Sequence, residues 1–201
     1  YQELRQHQKA IGYFERSADE LEKVTDTENE NFQIRYLITH MNLMKSYGEL
    51  DRLDDARKEL LKLEKCSQGI VNEMYRYSYL TLKSRLYWNI GEKEYVYEHL
   101  DELIKGGIDD SNAADYIEDV SDLCGLLKDM QEFDKWKRVI LAFEQHAKKQ
   151  NSIYYEMILN EMWLDYYKEL GDNEQYVKLC IHYVDVAQQQ KKADNEERAC
   201  A

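Results

Sequence analysis

The stretch Tyr47–Leu63, YGELDRLDDARKELLKL, decides the fold, because its skeleton returns three more times at intervals of 40 residues. With the four copies in register, Leu50 falls above Ile90, Met130 and Leu170, and Leu60 above Leu100, Ile140 and Cys180. Leu63 falls in the same way above Leu103, Phe143 and Tyr183. All twelve are apolar. Tyr47 stacks over Tyr87, Leu127 and Tyr167, and each second half opens on an acid, namely Asp54, Glu94, Asp134 and Glu174. Self-similarity at a fixed period of this size is the mark of a stacked repeat, in which each unit buries its apolar face against the next.

Bulk composition agrees. The chain has 201 residues, 43% of them hydrophobic, with no proline and eight glycines. That is enough apolar material for a substantial core, and the absence of the main helix breaker among residues rich in Leu, Glu, Lys and Tyr predicts an all-α protein. A formal charge of −13 repels phosphate backbones and anionic membrane surfaces, which excludes nucleic acid as a favoured partner. Cys66, Cys124, Cys180 and Cys200 form no C-x-x-C and no disulfide spacing, which fits a reducing, cytoplasmic setting. No apolar run approaches the ~18–20 residues of a membrane span, so no membrane contact is expected from this segment. A chain opening on Tyr1 reads as a fragment of something longer.

Taken in order, residues 5–24 carry Ala10, Phe14, Ser17 or Ala18, and Leu21 at helical spacing and read as the second helix of a half-repeat. Thr27 and Glu30 match a capping box, which predicts a helix starting near residue 28. Four copies then cover 28–67, 68–107, 108–147 and 148–187. Each has a first helix of about 18–20 residues, a tight turn, and a second helix of about 13–17. In the first copy Leu37, His40, Leu43, Met44, Tyr47 and Leu50 form the buried stripe, answered after the turn by Leu53, Ala56, Leu60 and Leu63. Gly91 and Gly171 mark two of the turns; Asp51 and Gln131 stand in their place in the other two, which predicts less relaxed turns there. Ser67–Gly69, Gly106 and Gly107 with Asp109, Asp110 and Ser111, and Asn151 with Ser152 punctuate the copies. The tail 188–201 shows no apolar face and reads as a fraying helix end or the start of a truncated element.

A helix pair with an aromatic before the turn, a small residue after it and apolar residues four and seven further on resembles the tetratricopeptide repeat. Tyr47, Leu53, Ala56, Leu60 and Leu63 carry the likeness, which covers about 160 of the 201 residues plus the half-repeat. The resemblance implies a right-handed α-solenoid of antiparallel helix pairs, about nine helices in all, forming one array over residues 1–187. The period exceeds the family's 34, and the small position becomes Ala56, Val96, Trp136 and Tyr176, which predicts more widely spaced helix pairs. Long, tyrosine-rich, proline-free arrays are also similar to the regulatory regions that precede output domains in bacterial signalling proteins, among them GGDEF diguanylate cyclases. Nothing in residues 1–201 resembles the cyclase itself.

Solenoids bind along the concave face lined by the first helix of each repeat. The groove columns are Ile38, Ser78, Glu118 and Ile158; Met41, Thr81, Ser121 and Glu161; Lys45, Arg85, Gly125 and Asp165; and Gly48, Trp88, Lys128 and Lys168. Unlike the core columns, these change character from copy to copy, as a surface reading an extended partner would, or as a merely solvated face is free to do. Met41, Lys45, Arg85, Trp88, Asn89, Lys128, Glu161, Asp165 and Lys168 are the candidate ligand-binding residues. Among them Lys45, Arg85, Trp88 and Asn89 suit a carboxylate beside an apolar side chain, unless Trp88 packs between repeats.

Other chemistries fail on spacing. Asp51, Asp54 and Asp55 sit where helix capping and the helix dipole favour acids. No two of the five histidines are closer than 33 residues and none belongs to a Glu-x-x-His pair, so no metal centre is expected. No nucleophile elbow or phosphate loop occurs, and neither an enzymatic role nor a cofactor is expected. The sequence thus points to a protein- or peptide-binding module, the sensory or regulatory segment of a larger signalling protein, with a free-standing adaptor as the alternative and a helical enzyme as a remoter one. Tyr154, Tyr155, Tyr166, Tyr167, Tyr176 and Tyr183 crowd the last copy, whose outer face could pair with a second copy of the chain.

Overall fold

In a computed structural model, residues 2–25, 27, 29–66, 73–107, 117–150 and 152–200 are described, and among them every regular element is an α-helix. Nine occur: α1 (Gln2–Leu21), α2 (Glu30–Glu49), α3 (Leu53–Cys66), α4 (Glu73–Asn89), α5 (Lys93–Gly107), α6 (Ile117–Asp129), α7 (Phe133–Gln150), α8 (Ile153–Leu170) and α9 (Asn173–Cys200). The punctuating residues Ser67–Gly69, Asp109, Asp110, Ser111 and Asn151 lie outside the described residues.

Four turns join the helices of each pair, and they are built alike. The amide of Asp51 donates to Gly48 O at 3.0 Å and that of Arg52 to Tyr47 O at 2.8 Å. The same two bonds recur forty residues on each time: Gly91 to Trp88 and Glu92 to Tyr87, Gln131 to Lys128 and Glu132 to Leu127, Gly171 to Lys168 and Asp172 to Tyr167. This is the Schellman closure, which satisfies the last carbonyls of a helix through one residue in the left-handed region. That residue has φ of 57° at Asp51, 87° at Gly91, 59° at Gln131 and 70° at Gly171. Asp51 and Gln131 therefore adopt the glycine conformation with a Cβ in place, which is the strain expected of those two turns.

Two helix boundaries differ from the sequence expectation. The first helix of copy one begins at Glu30, and its N-cap is Asn29, whose side chain accepts from the amides of Asn31 at 2.9 Å and Phe32 at 3.3 Å. Asparagine at this place competes directly with the Thr27 capping box and wins because it reaches two amides at once. The tail is not an element apart: α9 runs on to Cys200, 28 residues in all.

The chain divides into two compact units, Tyr1–Leu100 and Asp101–Ala201. In the first, α2 packs against α1, α3 and α4. Ile11, Ala18, Leu43, Met44, Tyr47 and Ala56 are central to its core, joined by Leu60 and Leu86. Ala56 has no exposed surface, so α2 and α3 approach closely at that point. In the second unit α7 packs against α6 and α8, and α8 against α6 and α9. Its core is built from Leu123, Leu126, Leu127, Val139, Ile140 and Phe143, all at most 1% exposed. Trp136 stands at the Ala56 position and is equally buried, its indole edge-on to Tyr166 at 5.1 Å. The volume there is filled by aromatic packing where the first copy has close approach. No helix among the described residues is long and apolar enough to cross a membrane.

Candidate functional site

The nine groove candidates fall in both units, and each unit shows what its own members touch. In the first, Met41, Lys45, Arg85 and Trp88 are half-buried and Asn89 is exposed. Trp88 carries the Lys93 ammonium over its face at 4.3 Å, with Tyr97 edge-on at 6.3 Å. The indole is thus engaged by the helix that follows it, in a contact typical of a cation on an aromatic face. In the second unit Lys128 lies 3.7 Å from Glu169, and Glu161 accepts from the Tyr183 hydroxyl at 2.8 Å; Asp165 and Lys168 are exposed. Thr81, assigned by sequence to a groove column, is 1% exposed with its hydroxyl unpartnered among the described residues. It belongs to the interior, because α4 is covered on more than one side.

One acid expected at a helix start is accounted for locally. Asp55 is bridged by Arg52 at 2.7 Å and Lys58 at 2.8 Å, and these hydrogen bonds hold its carboxyl below the usual value. Among the described residues no three His, Cys, Asp or Glu side chains converge as a metal site would require. Cys124 is buried, and burial pushes its thiol up to about 12, so it packs as an apolar residue.

The interior of the first unit holds a hydrogen-bonded polar pair. His40, with no exposed surface, donates from Nδ1 to Glu59 Oε2 at 2.5 Å, and Lys62 reaches the other oxygen at 3.2 Å. Burial pushes the Glu59 carboxyl up, but the hydrogen bonds from His40 and Lys62 outweigh it and leave the group below its ordinary value. Nearby, Lys83 bonds Glu64 at 2.7 Å and points at the rings of Tyr79, Tyr87 and Tyr95 at 5.8, 5.6 and 5.0 Å. Three aromatic faces around one ammonium make a cation cage, here filled by the protein's own lysine.

A cleft lies in the second unit, among α7, α8 and α9, with a volume of about 510 Å³. That is the size range of small-molecule sites. Ala147, Ile153, Leu159 and Leu179 give it apolar walls, and Trp163 lines it with its indole stacked on Tyr167 at 5.4 Å. Asn160 also lines it, 4% exposed, with Nδ2 lacking a partner among the described residues. At the rim Lys148 pairs with Glu144 at 2.5 Å and His182 with Glu156 at 3.0 Å. None of the nine groove candidates lines this cleft. At about 100° per residue, Glu156, Leu159, Asn160 and Trp163 share one face of α8, and Glu161, Asp165 and Lys168 share nearly the opposite one. A smaller cleft of about 340 Å³ between α1 and α2 contains one residue of the groove columns, Ile38, beside Arg35 and Thr39.

Asn160 was missed by sequence reasoning, although the register holds a signal. It stands in the column His40, Leu80, Val120, Asn160, a stripe position where a polar side chain is the exception that calls for a partner.

No family model, curated protein or solved structure matches this chain. Among the described residues the molecule is accordingly defined by its class, an all-helical protein whose helix-joining turn recurs every 40 residues.

Proposed function

We propose that the chain is a protein- or peptide-binding module of the tetratricopeptide kind, its helix pairs stacked into one right-handed solenoid over residues 1–187. It works as the cytoplasmic sensory or regulatory segment of a larger bacterial signalling protein, with a GGDEF diguanylate cyclase as the model output. The observation that carries this reading is the four identical turns at 40-residue steps, since helix pairs joined in the same way each time favour stacking in the same way. The varied chemistry of Lys45, Arg85, Trp88 and Asn89 in the first unit, and of Lys128, Glu161, Asp165 and Lys168 in the second, supports a face that reads an extended partner. A peptide in that groove shifts the curvature of the array and so biases the output.

The test is selection of a displayed random-peptide library on the purified chain, repeated with Arg85→Glu and Trp88→Ala. Peptides enriched on the wild type should be lost from both variants, with helicity unchanged and the melting temperature nearly so. Enrichment of the same peptides on all three proteins would refute the groove. A second mode of association is supported by α9, where Val177, Ile181 and Val184 lie on one stripe and are 55%, 63% and 51% exposed. Such a face suits pairing of two chains through the last repeat. Sedimentation as a monomer at all concentrations would remove it.

A further inference from the structure

We propose that the cleft among α7, α8 and α9 is a second binding site, for a small uncharged molecule with an apolar body and one carbonyl-type acceptor, bound through Asn160. This site follows from the register and is independent of the groove. In the first copy the buried polar residue of this column, His40, is answered 19 residues later by Glu59. In the third copy the same two places are Val120 and Val139, both at most 1% exposed and apolar together. The first and third copies match their two positions, and the second sets Leu80 against His99, which donates from Nδ1 to the Tyr95 carbonyl of its own helix at 2.8 Å. The fourth has Asn160 against Leu179, and leucine can neither accept nor donate.

The mismatch leaves a donor in the interior, where an unmade hydrogen bond is costly, on a residue that lines the cleft among α7, α8 and α9. An acceptor entering the cleft supplies what Leu179 does not. The remaining walls set the rest of the ligand. Leu159, Leu179, Ile153 and Ala147 provide apolar contact, and Trp163, held between Tyr166 at 5.6 Å and Tyr167, offers a pre-oriented flat face. The acids at the rim are already engaged, Glu144 by Lys148 and Glu156 by His182, so an entering charged group would have to displace a partner. An ionic ligand would lose hydration without gaining a counter-ion.

The experiment titrates the full chain, by ligand-observed NMR, with four probes of similar size: acetophenone, ethylbenzene, benzoate and benzylammonium. Acetophenone should bind at least about tenfold more tightly than ethylbenzene, the difference being one hydrogen bond to a buried donor, and the two charged probes should bind more weakly still. Asn160→Leu, which installs the residue that Leu80 provides in the second copy, should abolish the preference for acetophenone while retaining ethylbenzene. Should that variant fail to fold, the side-chain amide signal of Asn160 in the unaltered protein decides, since acetophenone must move it and ethylbenzene must not. Equal affinity for acetophenone and ethylbenzene, binding of the charged probes as tight as that of acetophenone, or an unmoved Asn160 signal would overturn the proposal. Arg85→Glu and Trp88→Ala, which abolish peptide capture if the groove reading holds, leave these four affinities unchanged, so the two sites fail or stand separately.

Discussion

The two compact units start from one 40-residue skeleton and fill their interiors differently. The first sets a residue as small as Ala56 between its helices and buries a hydrogen-bonded polar pair, His40 with Glu59. The second puts Trp136 at the Ala56 place, and Val120 and Val139 at the places of the pair. The difference teaches that the repeat fixes which positions face inward but leaves open whether volume or charge satisfies them. Either solution is stable, because a buried polar group is tolerated when paired and an apolar group when packed.

The largest effect should come from the aromatic solution. Trp136→Ala removes a fully buried indole and leaves a void against Tyr166, with an expected loss of about 3–5 kcal/mol in unfolding free energy by urea titration. A loss under about 1 kcal/mol would mean that the second unit collapses around Trp136 and does not depend on it.

Next comes the His40–Glu59 pair, which sharpens the comparison by converting one unit into the other. His40→Val alone leaves the Glu59 carboxylate largely buried with only Lys62 beside it, and should cost about 3 kcal/mol. The double variant His40→Val, Glu59→Val copies the third repeat and should recover most of that loss, because neither partner is then left behind. The pair also fixes the pH response. The folded-state carboxyl of Glu59 lies below its ordinary value of 4.5, so its stabilisation is full above that value and is lost as pH falls through the folded value. Between about pH 5 and about pH 3 the wild type should therefore lose more stability than the double variant. Parallel curves would show that the pair contributes nothing to acid lability.

The smallest effect separates the turns. Gln131→Gly relieves a left-handed glutamine at φ of 59° and should stabilise by about 0.5–1 kcal/mol, partly offset by the greater entropy of the unfolded chain. Gly91→Ala, the converse change at φ of 87°, should destabilise by about 1 kcal/mol. Thermal unfolding of both reads the sign, and a destabilised Gln131→Gly would show that its side chain contributes more than its backbone costs.

Much of the fold was legible because apolar spacing and turn chemistry are local. Tyr47, Leu60 and Leu63 announced the helices, and Gly91 and Gly171 announced the turns that Asp51 and Gln131 complete in the same conformation. The start of α2 was displaced by Asn29, since two capping residues so close in sequence compete and only geometry chooses between them. The cleft was not legible. Its key pair, Asn160 and Leu179, lies on two helices 19 residues apart, and neither residue is unusual alone.

By itself, then, the sequence determined helicity, the 40-residue period and the four turns, because each follows from side chains within a few residues of one another along the chain. Only the tertiary structure decided that the columns of His40 and Glu59 are opposed and that Trp88 is engaged by Lys93. It alone turned Asn160 inward, onto a cleft on the other side of α8 from the groove residues. Those outcomes depend on how one helix rests on the next, and opposition across an interface is a property of two helices together.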